Sequence, residues 1–184
     1  MSDPKDPRVI YLAGGCFWGV SEFFSRIPGV YSTITGYANS KVENPSYKQV
    51  KAQETDAAET VEVRYDNAVI TLEELLHAFF LIIDPLSVNR QGEDSGRSYR
   101  TGVYFTDPKD EAVIRKAFSE VEERLHQKIA VECQRLGNFY KAEEYHQDYL
   151  KKNPTGYCHV DFAKLKIFRD ELLKDHRPFE SWQI

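Results

Sequence analysis

Apolar and polar positions along the chain recur in two periods, and each switch from one period to the other marks a new element. Val9 to Ala13 is apolar and β-prone until Gly14-Gly15 breaks it, so Cys16 stands where a helix begins. Phe17, Val20, Phe24 and Ile27 recur at helical spacing and predict a helix over 16–27, which Pro28-Gly29 stops. A strand is expected from Val30 to Ala38 and one helical turn from Tyr47 to Lys51. Thr60 to Tyr65 alternates apolar and charged residues, the mark of a half-buried strand. Thr71 and Glu74 have capping-box spacing and open a helix through Leu75, Phe79 and Ile82 that ends ahead of Pro85.

Asp84 to Ser98 carries Gly92 and Gly96 and no apolar period; a loop this long in a compact domain is a candidate site wall. Tyr99 to Phe105 returns to strand. Asp107-Pro108 offers an N-cap and a favoured first residue for a helix reaching about Gln127. Ile129 to Leu136 is expected as the last strand, followed by the polar, aromatic-rich stretch 138–152, irregular residues 153–158 and an amphipathic helix from about Asp161 to Leu173. Up to Phe105 the order is strand, helix, strand, strand, helix, strand, the split β-α-β arrangement of ferredoxin-like folds. The expectation is an α/β two-layer sandwich with a mixed sheet, one extra helix and strand, and a long irregular C-terminal segment.

With 184 residues, 41% of them apolar and 29% charged, the chain fits one globular domain over 1–184, with a flexible N-terminus at 1–7 and a C-terminal extension at 159–184. A net charge of -5 with no lysine-rich block argues against a nucleic-acid partner, whose phosphates are bound by displacing counterions with Lys and Arg. The first eight residues hold two prolines and four charges and cannot form the apolar centre of a signal peptide; no run is long and apolar enough to cross a bilayer. Three scattered cysteines suit thiols kept reduced, and the expected compartment is the cytoplasm.

Chemistry enters at Gly15-Cys16-Phe17-Trp18-Gly19. A cysteine at the first turn of a helix meets unpaired amides and the positive end of the dipole, so a thiolate is expected there. Phe17 and Trp18 follow it directly and offer rings against which a methyl group can rest. The glycines do not form a phosphate loop, because the Lys-Ser/Thr ending and the dinucleotide spacing are both missing. Cys158-His159 and His146 lack a paired metal-ligand pattern, and Cys133 reads as core.

These residues resemble the A-type peptide methionine sulfoxide reductases. Gly15-Cys16-Phe17-Trp18-Gly19 matches the family's nucleophile motif at every position. Pro28-Gly29-Val30, Gly36-Tyr37 and Asn44-Pro45-Ser46-Tyr47 are similar to its next segments, the last carrying one of two site tyrosines. Glu59 falls where the family keeps its acid, Arg90-Gln91-Gly92-Glu93-Asp94 resembles the loop holding its aspartate, and Ser98-Tyr99-Arg100 carries the second tyrosine. Asn138-Phe139-Tyr140, Glu144-Tyr145-His146-Gln147, Lys152-Asn153-Pro154 and Gly156-Tyr157-Cys158 are similar to the C-terminal signature and resolving-cysteine region, so the resemblance runs from about Tyr11 to Cys158.

The resemblance implies reduction of methionine S-sulfoxide, free or in proteins, with Cys16 as nucleophile, Glu59 as proton donor and Tyr47 and Tyr99 holding the oxygen. Asp94 would order the polar side of the pocket, and Phe17 and Trp18 would take the methyl group. It further implies that Cys158 resolves a Cys16 sulfenic acid as a disulfide and that thioredoxin or another dithiol reduces this bond without any other cofactor or metal; a monomer is expected, though no residue pattern sets the oligomeric state. Gly156 is the expected hinge for the approach of Cys158. Two departures stand out: Asp56-Ala57-Ala58 replaces the usual Gly-His-Ala before the acid, and Glu93 replaces the common Asn. The rival reading is a thiol peroxidase or thiol-disulfide oxidoreductase built on Cys16, for which a Cys-x-x-Cys pair is missing.

Overall fold

The computed structural model describes residues 2–174. Six strands form one sheet: β1 (Pro7–Gly14), β2 (Val30–Ala38), β3 (Ala58–Asp66), β6 (Thr101–Phe105), β7 (Glu132–Arg135) and β8 (Phe139–Lys141), in the order β7-β6-β1-β3-β2-β8. The sheet is mixed. β6 and β7 run parallel, and every other neighbouring pair is antiparallel. A short hairpin of β4 (Arg90–Gln91) and β5 (Asp94–Ser95) stands apart from it.

Successive strand residues point to opposite faces, so each strand serves two environments. Ile10, Leu12, Val61, Val63 and Val103 line the face covered by helices α1 (Phe17–Ser25), α3 (Leu72–Ile82), α4 (Asp110–Leu125) and α6 (Ala163–Lys174), and join their buried residues in one core. Tyr11, Ala13, Ala38, Ala58 and Tyr104 form a smaller cluster on the opposite face, to which no helix contributes. The helices therefore make one layer and the sheet the other.

Local chemistry sets the elements near the site. Ser46 caps the single-turn helix α2 (Tyr47–Lys51) and Thr71 caps α3, each with a reciprocal bond from the side chain three residues on. Gly15 has φ of +85° and lies so close to Gln91 that a Cβ would fall 2.6 Å from that side chain. The turn before Cys16 thus requires glycine for its conformation and for space. Gln91 in turn bonds both backbone groups of Asp84, which pins the 84–98 loop beside the turn.

Several expectations change. The first helix begins at Phe17, with Cys16 as its N-cap, and ends at Ser25. The helix expected from Asp107 starts at Asp110, because the Asp107 carboxylate accepts from the Lys109 amide and closes a separate turn first. The 129–136 strand shrinks to four residues and is not the last. β8 follows it, unforeseen because three residues show no period; it pairs with β2 where Gly36 leaves the space that the Phe139 ring fills. The C-terminal segment is less irregular than expected: α5 (Tyr149–Lys152) precedes α6, whose Leu165 and Phe168 are fully buried. At the other end the amides of Lys5 and Asp6, placed in a flexible N-terminus, donate to the Asp66 carboxylate. Of the 159–184 extension, residues 175–184 lie outside those described.

Candidate active site

Cys16 sits at the junction of β1 and α1 with 7% of its surface exposed. Burial works against the thiolate expected at a helix start. Burial, then the Glu59 carboxyl, push the thiol well above its ordinary range, against the opposing bond from the Trp18 amide. The magnitudes account for this outcome: a helix N-terminus favours an anion by about 0.3–1 kcal/mol, below one pKa unit, whereas full burial shifts a group by up to roughly 3–5 units.

Glu59 is the acid beside it. β3 aims this side chain at the helical face, where it is 2% exposed, and Oε2 accepts the Phe17 amide at 3.1 Å. Burial first, and the Asp94 carboxyl after it, raise its pKa to about 8 against the Phe17 amide bond and Lys51. Glu59 thus holds its proton at neutral pH. The aromatic wall is fixed from the C-terminal side. Trp18 donates from Nε1 to His146 Nδ1 at 3.0 Å and stacks on Tyr149 at 3.7 Å between centroids, while Phe17 lies against Tyr37 and His146. With Nδ1 accepting, the neutral His146 ring carries its proton on Nε2, which is buried and has no hydrogen-bond partner among the described residues.

The polar wall comes from α2 and the 84–98 loop. Burial and then the Glu59 charge raise Tyr47 to about 12, with Cys16 and Asp94 also acting on it; the same groups raise Tyr99. Both phenols therefore stay protonated, within electrostatic reach of Glu59 and Cys16. Glu143 sets Tyr47 in place by accepting its amide at 3.0 Å and the Tyr37 hydroxyl at 2.8 Å. Asp94 is half-buried, with Oδ2 unpartnered and the Tyr157 hydroxyl against its carboxyl.

All eight residues picked from the sequence converge here. Cys158 is half-buried on the helix side, within electrostatic reach of Cys16, and both thiols are free. Gly156 is no open hinge, since a Cβ there would lie 2.9 Å from the Tyr149 ring. The replaced Gly-His-Ala stretch still makes a turn: Asp56 takes a φ of +56° and pairs with Arg97. Glu93 is exposed, and Asp94, not Glu93, acts on Glu59. Sequence reasoning missed the parts played by His146, Tyr149 and Glu143; the Glu144-Tyr145-His146-Gln147 signature held His146 but showed no partner for it, and Glu143 and Tyr149 lie just outside it. Among the described residues no group of three metal-ligating side chains forms, and no helix is long and apolar enough to cross a membrane.

The family profile for peptide methionine sulfoxide reductase matches residues 8–176. The peptide methionine sulfoxide reductase MsrA of Clostridium perfringens is 54% identical over 153 residues, covering 83% of this chain and 98% of that protein. Among solved structures, Mxr1 of Saccharomyces cerevisiae in reduced form superposes with a TM-score of 0.81 at 38% identity, over 88% of this chain and 94% of that one. The same yeast protein in complex with Trx2 gives 0.57 at 30% identity, over 81% and 88%.

Proposed function

The chain belongs to the peptide methionine sulfoxide reductase A family, oxidoreductases of methionine sulfoxide, and we propose that it reduces the S epimer, free or protein-bound, by moving the sulfoxide oxygen onto Cys16. The observation that carries the mechanism is the buried Glu59 carboxyl, its pKa raised by that burial, accepting the first amide of the helix that Cys16 begins. Sulfoxide oxygen leaves sulfur only once it is protonated. With the methyl group between Phe17 and Trp18, Glu59 gives its proton to the oxygen while Tyr47 and Tyr99 donate hydrogen bonds to it. Cys16 attacks as its own proton passes to the Glu59 carboxylate. The substrate S–O bond breaks as its oxygen becomes bonded to the Cys16 sulfur, so the substrate sulfur is reduced and Cys16 is oxidised to a sulfenic acid; the new hydroxyl carries the proton that Glu59 gave, and the thiol proton restores the Glu59 carboxyl.

A thiol with a raised pKa suits this order of events. Cys16 stays uncharged and unreactive until a bound sulfoxide supplies an acceptor, so nucleophile and acid work as a coupled pair. Asp94 holds the polar side of the substrate. Cys158 then resolves the sulfenic acid as a disulfide, and a thioredoxin reduces that bond by exchange, a reading supported by the yeast relative's structure with Trx2. The antiparallel order β6-β1-β3-β2 supports a ferredoxin-like core beneath the site.

Reduced protein mixed with a racemic methyl sulfoxide and no reductant tests this. The expected result is about one equivalent of sulfide per protein, drawn from the S epimer, with oxidation mapped by mass spectrometry to the Cys16 peptide. No sulfide in that mixture, with consumption of hydrogen peroxide in a parallel one, would instead favour the peroxidase reading.

A further inference from the structure

We propose that Gly19 and His159 are positioning residues for the second half of the cycle, Gly19 as a notch that seats the Cys158 sulfur and His159 as the latch that keeps it there. The proposal rests on the assignment of Cys158 as resolving thiol. A Cβ at Gly19 would stand 2.6 Å from Cys158 Sγ and 2.9 Å from Val160 Cγ2, so the sulfur occupies space that any other residue's side chain would take. Cys16 is the N-cap of α1 and Gly19 its third residue, one turn along, and positions so spaced on a helix have Cβ atoms about 5–6 Å apart. The resolving sulfur therefore waits one helical turn from its target. Helix propensity gives no reason for glycine here, since alanine favours a helix more.

The segment 157–160 is tied at every residue. The Tyr157 hydroxyl meets Asp94, Cys158 Sγ accepts the Val160 amide at 3.3 Å, and Val160 is 6% exposed against the core. His159 Nε2 lies 2.8 Å from the Gly14 carbonyl, to which it must donate, and its ring presses on Gly15. That bond joins the residue after the resolving cysteine to the turn before the nucleophile. The chemical step it serves balances without an outside reagent. Cys158 sulfur, giving up its proton, attacks the Cys16 sulfenyl sulfur; the S–S bond forms, the S–O bond breaks, and the hydroxyl leaves as water with that proton.

Rapid-quench kinetics with a methyl sulfoxide separates the two halves, because sulfide formation reports the first and loss of free thiols the second. Gly19→Ala and His159→Ala should each keep the sulfide burst but form the Cys16–Cys158 disulfide at least tenfold more slowly, with a sulfenic acid that a carbon-acid probe traps. His159→Gln, which keeps an N–H donor, should recover most of the rate. Disulfide formation at the wild-type rate in His159→Ala would overturn the latch, and in Gly19→Ala the notch. An equal loss of burst and disulfide rates would also overturn the proposal, by showing a general effect on the site. Absence of any burst in the wild-type protein would instead sink the proposed function.

Discussion

Two carboxylates three residues apart on β3 live on opposite faces of the sheet. Glu62, 7% exposed on the open face, accepts the Tyr11 hydroxyl at 2.9 Å and pairs with Arg64 Nε at 2.6 Å. Glu59, on the helix-covered face, has a single backbone amide and no cation in contact. Both are buried. The difference is compensation: a guanidinium and a phenol lie against one carboxylate, while a lone backbone amide leaves the burial of the other uncompensated and its pKa raised. One strand thus contributes to stability on one face and to chemistry on the other.

Substitution of the helix-side groups should break the chemistry and leave the open face intact. Cys16→Ser is expected to abolish sulfide formation in a folded protein, and measurable turnover by that variant would mean that another thiol is the nucleophile. Next in size, Glu59→Gln should slow the first step on the order of a hundredfold or more, as expected for a lost general acid. Single-turnover rates check this. Tyr47→Phe and Tyr99→Phe should each cost about tenfold, the scale of one hydrogen bond to a developing charge.

The sequence made much of this face legible and little of its wiring. Alternation in Thr60 to Tyr65 and the helical spacing after Cys16 placed Glu59 and Cys16 on their elements, and family resemblance singled out Tyr47, Asp94 and Tyr99. Which face Glu59 occupies depends on pairing with β1 and β2, a long-range fact with no local pattern. The same holds for β8, which exists because Gly36 and Phe139 fit together. For Cys16, helix-end electrostatics is readable from a local motif, whereas its burial, which acts the other way, is a long-range fact of packing.

Glu59 also leaves a mark on stability, and its sign is opposite to that of an ion-paired acid. Its folded pKa, about 8, lies above the ordinary 4.5, so the native state binds the proton more tightly than the unfolded chain. The stabilisation from that proton is complete below about pH 4.5 and is lost as pH rises to about 8. Thermal melts from about pH 5 to 8.5 should therefore show the wild type losing stability relative to Glu59→Gln. A constant difference between the two proteins across that range would mean that Glu59 is ionised in the fold.

The smallest effect belongs to the open face. Glu62→Gln keeps the shape but removes the charge that Arg64 and the Tyr11 hydroxyl engage, at a cost of about 1–3 kcal/mol for a buried charged hydrogen bond. Its first-step rate should stay within about twofold of wild type, because the sheet backbone separates it from Cys16. A large loss of rate with unchanged stability would erase the contrast between the faces, since it would make the open-face carboxylate a participant in the chemistry. Loss of stability at an unchanged rate would sharpen it: two buried glutamates on one strand would then be told apart only by whether a cation lies beside them.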